Sequence, residues 1–121
     1  MKVLAIVAAL IMISTNAYSK RLNTEYFYQN IICKLFFAEK EVILLDKTRV
    51  DCLNNDYAIE IDFADKWSES IGQALHYSMK TKKKAGIVLI LEKEDDIKYV
   101  NKLKKLNEYH GLNIKIWNFT P

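Results

Sequence analysis

The sequence predicts one α/β domain with a mixed central β-sheet and flanking helices, in the element order αβββαβαβ. Three observations carry this. Three short extended segments follow one another between residues 41 and 63, separated by the turn-forming clusters Asp46-Lys47-Thr48 and Asn54-Asn55-Asp56. Two later extended segments each follow a helical stretch, so their connections read as βαβ crossovers and parallel pairing. And 50% of the 121 residues are apolar, with only three Gly and one Pro. That composition excludes a disordered chain, a collagen-like chain and a low-complexity repeat, and the length leaves room for one domain.

Residues 1–19 are set apart from that domain. Met1-Lys2 is a short positive start, and Val3 to Ile13 is an unbroken apolar run. Polar Ser14-Thr15-Asn16 follows, and Ala17 and Ser19 put small residues three and one before an expected cut ahead of Lys20. This is the layout of a secretory signal. The apolar run is shorter than the roughly 20 residues a spanning helix needs. A buried segment and an uncleaved anchor are the competing readings. The expectation is an exported chain, periplasmic or secreted, whose domain occupies residues 20–121. No later stretch is long enough to span a membrane.

Within that domain each element has its own signal. Leu22, Tyr26, Ile32, Leu35 and Phe36 recur at helical spacing with no breaker, which predicts a helix over Arg21 to Phe37. Glu41 to Leu45 and Arg49 to Leu53 read as two strands of a hairpin. Tyr57 to Phe63 alternates, with Tyr57, Ile59, Ile61 and Phe63 on one face and Ala58, Glu60 and Asp62 on the other. Ala64 to Met79 is a helix with Trp67, Ile71, Ala74, Leu75 and Ser78 as its inward stripe, and Lys80 to Gly86 is a basic loop. Ile87 to Leu91 is apolar throughout, as a strand covered on both faces would be. Asp95 to about His110 is a helix stopped by Gly111, and Asn113 to Trp117 is the last strand.

Both cysteines, Cys33 and Cys52, lie after the signal. An even count in an exported chain suggests a disulfide, which would tie the first helix to the sheet; two buried free thiols are the alternative. Two Cys and two distant His do not have the spacing of a zinc site.

The residues with chemical potential gather around the third strand. Glu60 and Asp62 are two apart and leave the same face, and a hairpin brings Asp51 toward them. Three carboxylates on one patch repel unless a cation intervenes, and oxygen ligands suit Mg²⁺ or Mn²⁺. A solvated strand face is the bland alternative. In the next helix Lys66, Ser70, Gln73 and Tyr77 form one stripe, beginning with a lysine just after the carboxylates. His76 flanks that stripe and is read as structural. The net charge of +3 is too small to establish nucleic-acid binding, though Lys80, Lys82, Lys83 and Lys84 offer a phosphate-contacting loop whose bland reading is a solubilising one.

The runs Arg49-Val50-Asp51-Cys52-Leu53, Ala58 to Trp67 and Ile71 to Tyr77 resemble the restriction-endonuclease-like, PD-(D/E)XK nuclease superfamily. The element order resembles its core over nearly all of residues 20–121. The resemblance implies that Asp51 and Glu60 bind Mg²⁺, that Glu25 on the first helix joins them, and that Gln73 and Tyr77 match the Gln-x-x-x-Tyr motif of the RecB-like branch, which positions nucleic acid and the active site. Two positions depart from the pattern. Val50 stands where the motif has Pro, and Asp62 stands where the catalytic Lys usually does, with Lys66 as a migrated substitute.

Two readings follow. In one, the chain is a Mg²⁺- or Mn²⁺-dependent nuclease acting on DNA or RNA outside the cytoplasm. Its catalytic residues are then Asp51, Glu60 and Lys66, supported by Glu25, Asp62, Gln73 and Tyr77, with Lys82, Lys83 and Lys84 on nucleic acid. In the other, the chain is not an enzyme: it is a catalytically inactive exported member of the fold that works as a binding module, or a small exported structural or interaction protein in which the polar stripe only caps the sheet.

Overall fold

The computed structural model describes residues 20–121; the expected signal segment lies outside the described residues. Helix α1 (Glu25–Leu35) leads into β1 (Glu39–Ile43), β2 (Arg49–Leu53) and β3 (Tyr57–Phe63). A 3-10 turn at Ala64–Lys66 opens helix α2 (Trp67–Thr81), followed by β4 (Lys84–Ile90), helix α3 (Ile97–His110) and β5 (Lys115–Phe119). The five strands form one mixed sheet in chain order, β1-β2-β3-β4-β5. The first two pairings are antiparallel and the last two parallel. The α/β class, the element order and the mixed sheet agree with the sequence reading.

Alternation explains the layers. Ile59, Ile61 and Phe63 face α1, where they pack with Tyr28, Ile32, Cys33 and Cys52. On the opposite face, Ala85, Ile87 and Leu89 of β4 pack with Ala74 of α2 and with Val100 and Leu103 of α3. One helix therefore covers one face and two cover the other. The apolar run in β4 is buried on both sides, as expected of a strand flanked by parallel neighbours.

Element boundaries shift for identifiable reasons. Helix α1 starts at Glu25 rather than Arg21, because the Thr24 side chain accepts the Phe27 N–H as its N-cap. Strand β1 begins earlier and stops at Ile43, because Leu44 and Leu45 are consumed by the turn. There the Leu44 N–H donates to Thr48 O at 2.8 Å and the Lys47 N–H to Leu44 O at 2.9 Å. Helix α2 runs to Thr81 and ends on Lys82 in the left-handed conformation, so most of the expected basic loop is helix end and strand start. Strand β5 lies two residues further along than expected, since Asn107 holds both the N–H and the C=O of Ile114 and ends the connection there.

A disulfide joins Cys33 to Cys52, with Cα atoms 5.5 Å apart. It ties α1 to β2 beside Asp51, and the Gln29 side chain, one turn before Cys33 on α1, donates to Asp51 O at 3.0 Å. The helix carrying Glu25 is thus fixed to the strand carrying Asp51.

Candidate functional site

Asp51 stands where the sheet comes apart. In β1–β2 the paired residues are Lys40 with Cys52 and Val42 with Val50, and the intervening Glu41–Asp51 position is skipped. Glu41, directly opposite, has a left-handed φ of 54°. Pairing between β2 and β3 ends at Cys52 with Ile59, one step before Asp51 would meet Glu60. In place of a ladder bond, the Asp51 carboxylate accepts the Ile61 N–H at 2.8 Å. The strand also turns here: Val50 and Cys52, two residues apart, enter different hydrophobic clusters. These distortions aim the Asp51 carboxylate into the gap between strands.

Glu60 meets it there. Burial pushes the Glu60 carboxyl up to about 10, with the Asp51 charge next in importance and then Asp62 and Glu25. Burial likewise raises Asp51, opposed by the Ile61 N–H and by a hydrogen bond from Glu60. Beside the Asp51 charge in a buried site, Glu60 is the carboxyl favoured to keep its proton. Glu60 is 5% exposed, and its Oε2 is a buried oxygen with no hydrogen-bond partner. Such an orphaned acceptor is costly unless something occupies it.

A cleft of about 520 Å³ opens over this pair, lined by Glu25, Ile43, Arg49, Asp51, Glu60, Gln73 and Tyr77, with Lys47 and Thr48 at the hairpin side. Glu25, Gln73 and Tyr77, three side chains expected at the site from two helices, thus reach the same cavity as the strand carboxylates. Glu25 is raised by burial first and by Asp51 second. The buried Tyr77 phenol is raised by burial and then by the charges of Glu60 and Asp51.

Asp62 and Lys66 belong to the border of this cleft rather than its lining. Asp62 is buried and pushed up to about 7, by burial first and then by the Glu25 charge, while Lys66 pulls it down. Lys66 is exposed, acts electrostatically on Asp62 and Glu25, and forms no ion pair among the described residues. Lys82, Lys83 and Lys84 are not gathered with the carboxylates. They follow the far end of α2, roughly 24 Å along the helix from Lys66 at the rise of an α-helix. Lys83 Nζ is engaged with Asn55 O at 2.8 Å, and Lys84 Nζ lies over the Tyr57 ring.

The cations that do line the cleft are Lys47 and Arg49, which sequence reasoning passed over. A signal for Arg49 was present: it stands two residues before Asp51, so a strand places both on one face. Lys47 had none, since its position follows from the turn.

The donor set admits a hard divalent cation. Asp51 and Glu60 supply oxygen only, and Glu60 Oε2 lacks any partner. Among the described residues no group of three or more His, Cys, Asp and Glu is arranged to hold a metal ion. A carboxylate pair is nevertheless the protein share that Mg²⁺ takes when waters and phosphates complete its shell. No helix among the described residues is long and apolar enough to cross a membrane. Comparison with protein-family models, with curated proteins and with solved structures returns no match.

Proposed function

We propose that the chain is a divergent, exported member of the PD-(D/E)XK nuclease superfamily and a Mg²⁺- or Mn²⁺-dependent hydrolase of nucleic-acid phosphodiesters. The observation that carries the reading is the meeting of Asp51 and Glu60, from adjacent strands, with Gln73 and Tyr77, from the next helix, over an orphaned buried oxygen. The element order αβββαβαβ around a mixed sheet, on which the resemblance rests, supports the reading. The Cys33–Cys52 disulfide suits an oxidising compartment outside the cytoplasm.

Asp51 and Glu60 would hold the metal, which when bound supplies a Lewis acid for a phosphoryl oxygen and a lowered pKa for water. The Ile61 N–H orients the Asp51 carboxylate, and the disulfide with the Gln29 hydrogen bond keeps α1, hence Glu25, beside it. Arg49 and Lys47 place positive charge on the cleft wall for a phosphodiester. Tyr77 and Gln73 close the α2 side, where they brace the substrate. Asp62, poised near 7 with Lys66 beside it, can take up or release a proton at the border of the cleft.

One observation favours the second reading, an inactive nucleic-acid-binding module: Lys66, the substitute for the missing motif lysine, does not line the cleft. Incubating supercoiled plasmid and single-stranded DNA with the chain separates the two, using Mg²⁺, Mn²⁺ or chelator and the variants Glu60→Ala and Lys66→Ala. Metal-dependent cutting that Glu60→Ala abolishes supports the hydrolase. Binding without cutting supports the module.

A further inference from the structure

The hairpin that joins β1 to β2 presents apolar side chains beside the cleft that the core does not use. Leu45 is fully exposed (106%) and Ile43 is 71% exposed, while Leu44 between them turns inward against Val50, Ala58 and Tyr77. Ile43 itself lines the cleft, next to Lys47, Thr48 and Arg49. The tip is held rigidly. Asp46 accepts the Thr48 N–H at 3.0 Å and also the Thr48 hydroxyl, and its second oxygen lies 2.8 Å from His76 Nε2 on α2. His76 neighbours Gln73 and Tyr77 on that helix, so the latch fixes the hairpin relative to the cleft. With Asp46 engaged by His76, the hairpin brings Lys47, Arg49 and Ile43 to the cleft, Arg49 also lying 4.0 Å from the Glu41 carboxylate, while Leu45 projects from the tip.

An aliphatic tip beside cations has a natural chemical complement: a base face adjoining a phosphate. Apolar side chains wedged between bases unstack them, at a cost smallest where bases are already unpaired. We infer that Leu45 and Ile43 form a wedge against nucleic-acid bases while Lys47 and Arg49 hold the neighbouring phosphates, so the chain selects single-strand–duplex junctions over continuous duplex. The inference rests on the proposed nucleic-acid reading and adds the substrate class to it.

The test uses an oligonucleotide with 2-aminopurine at the first unpaired position of a junction, titrated with the full chain in chelator so that no cutting intervenes. Fluorescence should rise on binding as the base leaves the stack. Leu45→Ser, at a position that contributes nothing to the core, should lose that rise and weaken junction binding about tenfold, with continuous duplex affected less. Tyr109→Ser, an exposed aromatic on α3, should leave the rise intact. An unchanged fluorescence on binding, an equal rise with Leu45→Ser, or no binding to the junction overturns the wedge; the last also fits a tip that meets a protein partner or a second copy. A parallel Mg²⁺ digestion keeps the two proposals distinct. Cutting without a fluorescence rise sinks the wedge alone, and a Leu45-dependent rise without cutting sinks the hydrolase alone.

Discussion

The Asp51 carboxylate accepts the main-chain N–H of Ile61 at 2.8 Å, so the side chain that faces Glu60 also closes the gap between two parting strands. Stability and site geometry therefore depend on the same carboxylate. Asp51→Ala removes the acceptor and leaves a buried donor, which should cost about 1–3 kcal/mol in urea unfolding. Asp51→Asn keeps a carbonyl oxygen for Ile61 and removes one of the paired charges, so it should lose metal binding while retaining most of the stability. Equal destabilisation by both variants would show that the hydrogen bond does not hold the strands.

The disulfide should matter through the helix it anchors. Cys33 and Cys52 are 19 residues apart in sequence, and closing a loop of that size stabilises by about 3 kcal/mol on chain-entropy grounds. Cys33→Ser with Cys52→Ser, or reduction of the wild type, should lower the urea midpoint accordingly. Because α1 also carries Glu25 and Gln29, the double variant should weaken Mg²⁺ binding beyond what global unfolding explains, measured calorimetrically at a temperature where the variant remains folded.

Periodicity made the fold legible, whereas the site was legible only in part. The alternation of Tyr57 to Phe63 announced a strand with Glu60 and Asp62 on one face, and the spacing of Gln73 and Tyr77 put both on one helical stripe. Those positions follow from regular geometry, which sequence spacing encodes. The break at Asp51 does not. It depends on Glu41 adopting a left-handed φ and on the ladder ending at Ile59, both settled by long-range packing. The turn at Leu44 and Leu45 was equally hidden, because Val-Ile-Leu-Leu reads as strand until the Leu44–Thr48 bonds are seen. Lys66 shows the limit from the other side: closeness in sequence to Glu60 left it at the border of the cleft, while Arg49, across a hairpin, entered it.

The sheet has a steric checkpoint at Gly86. A Cβ there would sit 2.8 Å from the Trp117 ring and 3.3 Å from Ile59, inside the layer where Trp117 meets Tyr57 and Phe36 edge-on. Gly86→Ala should therefore destabilise by about 1–3 kcal/mol, the usual range for overpacking a filled core. Gly72→Ala is the matched control, since nothing lies within 4 Å of its added methyl and the position is helical, so it should be neutral or slightly stabilising. Thermal unfolding of the two variants side by side checks this, and equal midpoints would contradict the packing at β4.

Glu60 and Asp62 make the metal-free fold sensitive to alkali. Their carboxyls are pushed up to about 10 and about 7, from ordinary values of 4.5 and 3.8. Between the ordinary and the raised values the folded chain holds protons that the unfolded chain has released, so stability falls as pH rises. The contribution is complete below about pH 4, erodes up to about 7 for Asp62 and continues to erode to about 10 for Glu60. In chelator the melting temperature should fall steadily between pH 5 and 9. Glu60→Gln, which keeps the shape without a titrating proton, should flatten the part of that slope above pH 7 and leave the Asp62 part below it. Mg²⁺ should flatten the same upper part in the wild type, because a cation between Asp51 and Glu60 favours their ionised forms and releases the Glu60 proton. Calorimetry in buffers of different ionisation enthalpy would detect that proton directly. A wild-type slope that Glu60→Gln and Mg²⁺ both leave unchanged would place the alkaline sensitivity elsewhere and remove the carboxyl pair as the metal's seat.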